Sequence, residues 1–297
     1  GILAEESESL VALQRSLWGF LHARGFSLSV ATLTPQILAA IAVVILERLA
    51  PHEPAWLRPR SDRLTDALHL VSSVVVSSVV GRTLALGVAV SLRSVSGPGL
   101  WPHAAPLAVQ LILALLISEL GGYLAHRLLH ASQHLWPFHA VHHSAQRLYW
   151  LNASRNHPVD MAITFGATMW PLFWLGAGDT LLSLYAVCTG CHLLLQHSNV
   201  AQRTFGLRWI FSMAEVHRFH HSPRREEADG NYGHVLIVWD VLFGTRRVPP
   251  DRLPPVDVGL PADVRVPDDF VGQLLYPFTT RTHRAHAPGA KPAVLSS

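Results

Sequence analysis

Sulfur, charge and nucleotide-binding glycines are all scarce in this chain. Cys188 and Cys191 are the only cysteines among 297 residues, too few for an iron–sulfur cluster held by four thiolates. Both lie in an apolar stretch, where free cysteine acts as a small packing residue. No glycine-rich dinucleotide fingerprint follows a strand pattern, so any redox reaction must draw its electrons from elsewhere. The His-Glu-x-x-His signature of zinc proteases is missing too, because Arg127 stands where the glutamate base belongs. Glu5, Glu6 and Glu8 occupy the place of a positive n-region, so no secretory signal is expected. Charged residues make up 14% of the chain, against about 25% in ordinary soluble proteins. The net charge of +3 comes from arginines that form no continuous basic stripe, and no nucleic-acid partner is expected.

What replaces charge is long apolar runs. Mean hydropathy is +0.27, and a membrane span needs about 20 predominantly apolar residues. Residues 28–46 qualify with Pro35 inside, 68–92 with the single charge Arg82, and 104–125 with the single charge Glu119. Residues 162–177 and 180–196 are shorter and are separated by Gly176-Ala-Gly-Asp179. At 1.5 Å per residue each covers about 24–26 Å, slightly under a hydrocarbon core of about 30 Å. They read as a tight helical hairpin that spans or re-enters. The fold expected is an all-α integral membrane protein of four to five transmembrane or re-entrant helices, with a histidine-rich helical cap on the cytoplasmic side. Arg48, Arg58, Arg60 and Arg63 follow the first run, while only Arg93 follows the second. Arg127, Arg147 and Arg155 follow the third, and Arg203, Arg208, Arg218, Arg224, Arg225, Arg246 and Arg247 follow the hairpin. The positive-inside rule makes their shared side cytoplasmic, and a bacterial inner membrane is the expected location.

Three parts are expected along the chain, with no internal repeat. Residues 1–27 form a lead-in whose leucines at 10, 13, 17 and 21 suit an interfacial helix. Residues 28–245 form the membrane-embedded unit. Residues 246–297 form a proline-rich extended wrap followed by a disordered tail.

Histidine is abundant. His126 and His130, then His139, His142 and His143, then His217, His220 and His221 form three clusters. Residues at i, i+3 and i+4 of a helix share one face, so each cluster aims its imidazoles in one direction. Together they supply eight, enough to ligate two metal ions. Neutral imidazole suits iron, zinc and copper. His157 and His197 flank the hairpin on the same side, and either can complete a coordination sphere. His192 precedes His197 by five residues and diverges from it by about 140° on a helix, so it is expected not to ligate. His134 falls in a connecting turn, and His22, His52, His69, His103, His283 and His286 read as ordinary polar residues. Glu119 precedes His126 by seven residues and shares its face. A carboxylate in a span needs a partner, and the expected one is a ligand imidazole whose outer nitrogen requires an acceptor. A histidine-rich metal transporter is the non-enzymatic alternative, although transporters place their ligands near the bilayer midplane on broken helices.

From residue 111 to 245 the chain resembles the fatty acid hydroxylase superfamily, also called the sterol desaturase family, of integral-membrane di-iron enzymes. The resemblance rests on Glu119 before His126-Arg-Leu-Leu-His130, then on Trp136-Pro-Phe-His-Ala-Val-His-His-Ser144 and Arg155-Asn-His-Pro158. Gln196-His-Ser-Asn199, His217-Arg-Phe-His-His221, Asn231-Tyr-Gly233 and Trp239-Asp-Val-Leu-Phe-Gly-Thr245 follow in order. His234 after the Asn-Tyr-Gly element departs from the pattern and is expected not to ligate. The resemblance implies two iron ions, with zinc as a possible substitute in purified material. It also implies O2-dependent oxidation of an unactivated C–H bond of a lipid such as a fatty acyl chain, sterol or aminolipid. Hydroxylation is expected, with desaturation on the same site as the alternative, and electrons are expected from an external electron-transfer protein.

Overall fold

The computed structural model describes residues 28–92, 100–249 and 252–280. The expected interfacial lead-in helix and the terminal tail beyond Thr280 lie outside the described residues. Ten α-helices and no strand occur within them, with only two isolated bridges, Pro51 to Val200 and Phe211 to Leu236. The long helices are α1 (Leu28–Leu49), α2 (Asp62–Leu92), α3 (Leu107–Ala131), α5 (Pro158–Leu175) and α6 (Asp179–Gln196). Three of them contain segments long and apolar enough to cross a membrane, Thr32–Leu49, Asp62–Gly87 and Leu107–Ala131. Leu38, Ile41, Val71 and Val79 of α1 and α2 are more than half exposed. In a chain with these runs that surface belongs against lipid.

α5 and α6 form the expected hairpin, each with 18 residues, or about 27 Å of helix. Gly176, in the left-handed region at φ 84°, ends α5, as helix C-caps require. α5 packs between α2 and α3, while α6 packs against α1 and α3. The α3–α5 crossing is close because Gly121 has no side chain. A Cβ there would lie 2.2 Å from the Ala167 carbonyl oxygen. Trp101, Ala114, Met169, Leu172, Leu181 and Tyr185 bury the end of this bundle remote from the histidines.

The topology brings five helix ends to one face: the C-termini of α1, α3 and α6 and the N-termini of α2 and α5. Short helices cover that face: α4 (Trp136–His143), α7 (Ala214–His220), α8 (Arg225–Ala228), α9 (Val238–Leu242) and α10 (Phe270–Thr279). Buried ion pairs fix this cap to α2. Arg147 grips Asp62 with two nitrogens at 2.9 and 2.6 Å, and Arg155 meets Asp66 at 2.5 Å. Residues 252–269 run without regular helix. α10 was not expected within the 246–297 segment. Asp269 caps it by accepting from the Gly272 N–H, and Tyr276 buries against Ala140 and Val141 of α4.

Candidate metal centre

Nine buried imidazoles meet under the cap in two groups. His126, His130, His139, His143 and His220 form one, and His142, His197, His217 and His221 form the other. Within each group the ligating nitrogens lie within 4.8 Å of one another. Neither pocket corresponds to one sequence cluster. α3 contributes two histidines to the five-membered pocket, while α4 and α7 divide theirs between both pockets.

Backbone acceptors fix three of the ring tautomers. His126 Nδ1 lies 2.7 Å from the Tyr232 carbonyl, His220 Nδ1 2.7 Å from that of Gly230, and His142 Nδ1 3.1 Å from that of Arg155. A carbonyl can only accept, so each Nδ1 carries the proton and each Nε2 presents a lone pair. His139 Nδ1 sits 2.8 Å from Asp160 Oδ2 with the same consequence. Nε2 atoms converge: His126 to His139 at 2.9 Å, His143 to His220 at 3.1 Å, and His217 to His197 and His221 at 2.9 and 3.1 Å. Two nitrogens bound at about 2.0–2.1 Å to one ion stand about 3 Å apart. His130 Nε2 is buried with no hydrogen-bond partner. Crowded lone pairs and a polar orphan are what a cation would satisfy, so the donor set fits two imidazole-bound metal ions. Burial, and then the nearness of other imidazoles, pushes His143, His197, His217, His220 and His221 well below the usual histidine range, and His142 down to about 3. These six rings therefore stay neutral, which is the ligating form.

Two expectations need correction. Glu119 does not reach a ligand imidazole. Its Oε2 accepts the backbone N–H groups of His234, Val235 and Leu236 at 3.1, 2.8 and 3.1 Å. The carboxylate anchors the strap that carries the Tyr232 carbonyl, one link further from the metal pocket. His157 is not among the gathered nitrogens. It caps α5, with Nδ1 accepting from the Val159 N–H and Nε2 donating to the Leu274 carbonyl. His197 joins the four-histidine pocket, while His192 donates to the Ser212 carbonyl and stays outside. His234 also stays outside both groups, its ring 5.1 Å from that of His126.

Sequence reasoning missed Asp160, the carboxylate that does hold a ligand ring. Its signal was available: an acid in the first turn of an apolar helix, the same anomaly that singled out Glu119. The Asn-Tyr-Gly and Trp-Asp motifs lock each other. Asp240 accepts from the N–H groups of Tyr232 and Gly233 and from the Thr245 hydroxyl. Asn231 adopts φ 57°, a left-handed conformation that asparagine tolerates, and this turns the strap so that its carbonyls face His126 and His220. Beside the five-histidine pocket a cleft lined by His130, Trp136, His143, Arg225 and Asp229 opens toward the cap surface.

The fatty acid hydroxylase family profile matches residues 111–245, the stretch that holds all nine gathered histidines, Glu119 and Asp160. The chain is 36% identical over 268 residues to ornithine lipid hydroxylase OlsE of Rhizobium tropici, which covers 87% of this chain and 78% of that protein. It is 30% identical over 130 residues to alkylglycerol monooxygenase of Xenopus tropicalis and 33% identical over 130 residues to that of Homo sapiens. These matches cover 43% of this chain but only 28% of either monooxygenase. No solved structure matches the chain. Similarity along most of its length to one hydroxylase, and across the histidine-bearing core to others, shows that the chain belongs to the fatty acid hydroxylase family of oxidoreductases.

Proposed function

We propose that this chain is an O2-dependent di-iron oxygenase that hydroxylates an unactivated C–H bond of a lipid, and among fatty acyl chains, sterols and aminolipids we favour an aminolipid. One oxygen atom enters the C–H bond, the other leaves as water, and two electrons and two protons come from outside. Nine buried imidazoles sorted into pockets of five and four at the capped ends of the helices carry this reading. The aminolipid class follows from the likeness to ornithine lipid hydroxylase. Once bound by these imidazoles, iron would supply O2 activation and the oxidising power for C–H cleavage. Asp160 and the carbonyls of Tyr232, Gly230 and Arg155 hold the ligand rings in their donating tautomer. The cap and the lipid-facing helices exclude water from the pockets, and a lipid can enter laterally from the bilayer.

The two cysteines and the missing nucleotide fingerprint support an external electron-transfer protein as donor. Arginine placement supports a bacterial inner membrane with the metal site on the cytoplasmic side. Lipid profiling of cells with and without the chain tests the reaction. Membrane aminolipids should gain one oxygen in mass, and His142→Ala should abolish the gain. Products lighter by two hydrogens would assign desaturation instead. Metal exchange without lipid oxidation would favour transport.

A further inference from the structure

A turn at Phe205–Trp209 and α9 lie side by side next to the metal strap. The Ile237 N–H donates to the Ile210 carbonyl at 2.9 Å and the Ser212 N–H to that of Val235 at 2.8 Å. Trp239 Nε1 donates to the Leu116 carbonyl in the middle of α3, so α9 runs alongside a membrane span. Together the two segments expose Phe205, Trp209, Leu242 and Phe243 to 79, 54, 69 and 47%. Phe243 stacks on Tyr123, nearer the capped end of α3, and an apolar, aromatic-rich surface there belongs at the headgroup boundary of the bilayer.

Two arginines stand within this apolar surface. The Arg246 guanidinium lies 3.7 Å over the Trp209 ring. Burial, and then the nearby charge of Arg208, pushes the Arg246 group down from the usual arginine range. Neither arginine makes a side-chain hydrogen bond or ion pair with a described residue, and the Nε of each is buried without a partner. The nearest acids are already engaged. Glu215 accepts from the backbone N–H and hydroxyl of Thr204, and Asp240 accepts from the strap and from Thr245. Both guanidinium groups stand on this apolar rim, and the carboxylates that oppose their charge, Glu215 and Asp240, are bonded elsewhere, so neither group has an oxyanion in hydrogen-bond contact.

We propose that Arg208 and Arg246 hold the phosphate of an anionic membrane phospholipid, with Phe205, Trp209 and Phe243 set in the acyl boundary around it. The planar guanidinium forks match phosphate oxygens two at a time. This site is separate from the metal pockets and does not depend on the reaction assigned to them. It ties the strap that orients His126 and His220 to the charged leaflet, because Arg246 follows Thr245 directly.

Native mass spectrometry of the metal-loaded full chain, with phosphatidylglycerol against phosphatidylcholine, tests the site. Each basic group at an anionic surface gives about a fivefold preference, so the pair should favour phosphatidylglycerol by about 25-fold. Arg208→Gln with Arg246→Gln should abolish the preference. Arg246→Lys, which keeps the charge but loses the fork, should retain part of it, and Arg63→Gln, on an exposed turn of α2, should retain all of it. Metal content per chain shows that each variant is folded. Equal retention of the two lipids, or an unchanged preference in the double variant, would overturn the proposal. Displacement by millimolar inorganic phosphate would reassign the site to free anions. Normal lipid preference with lost turnover from a protein electron donor would reassign the arginines to protein docking.

Discussion

Replacing Asp160 isolates what a carboxylate does for a ligand imidazole. Its Oδ2 stands 2.8 Å from His139 Nδ1, while Oδ1 accepts from the Thr164 hydroxyl at 3.2 Å. The His139 and Asp160 side chains are only 5 and 2% exposed, so bulk water cannot stand in for either. A hydrogen bond to a charged group contributes about 1.5–3 kcal/mol net. Lost partners of metal-bound histidine cost about 10–100-fold in affinity or activity, which is the same range. Asp160→Asn keeps an oxygen for Nδ1–H and can turn its amide N–H to Thr164, whose hydroxyl also accepts. Tautomer and fold should survive while the charge is lost, weakening metal binding in the five-histidine pocket by about tenfold. Asp160→Ala also frees the ring, and about a hundredfold loss is expected. Titration of metal-free protein with Fe(II) against a competing chelator, with melting temperature measured on the same preparation, reads both effects. Unchanged affinity and stoichiometry in Asp160→Ala would refute the reasoning.

Glu119→Gln should lower stability by about 2–4 kcal/mol, because three backbone donors lose a charged acceptor. Metal per folded molecule should hold, and iron loss at unchanged melting temperature would restore a direct role beside the imidazoles. His142→Ala and His220→Ala should each lose the metal of their own pocket and all turnover, whereas His157→Ala should keep both metals. Metal analysis of the three variants checks the ligand sets. The purified chain with NAD(P)H and O2 alone should turn nothing over, and activity there would reveal a missed cofactor site. The metal-free protein should lose stability as pH falls. Burial holds folded His52 down to about 4 and His142 to about 3. The unfolded chain takes up those protons near the ordinary value of about 6.5, so stability rises with pH between these limits. A denaturant midpoint that stays flat from pH 7 to 4 would contradict that burial.

The fold was legible where composition and length decide the outcome. Apolar runs gave three of the long helices to within six residues at either end, and the Gly176 turn gave the hairpin. The ends were less legible. α2 starts at Asp62 rather than at residue 68, because Asp62 in its first turn and Asp66 one turn further on pair with Arg147 and Arg155. Those arginines, and Arg218, whose guanidinium donates to the Ser198 and Val200 carbonyls, counted toward topology in the sequence. In the structure they are buried braces of the cap. One residue type serves both roles, and only the identity of its partner separates them.

The site was legible as chemistry but not as geometry. Helical spacing identified the eight clustered imidazoles, because i, i+3 and i+4 share a face whatever surrounds it. It could not divide them between two pockets, since His142 and His143 are adjacent in sequence and go to different ones. Rotation of about 100° per residue sends neighbours to different faces, and α4 uses that rotation to serve both pockets from one short helix. Nor could spacing reveal what holds the rings, because three of the acceptors are backbone carbonyls, which every residue has. Side-chain identity enters only through the residues that aim those carbonyls. Asn231 tolerates the left-handed turn, Asp240 ties down Tyr232 and Gly233, and Asp66 pins Arg155. For His126, His142 and His220 the demand of the site is thus a set of carbonyl positions. Residues such as Glu119 look like ligand partners in sequence because they lie one link behind those positions and fix the strap that supplies them.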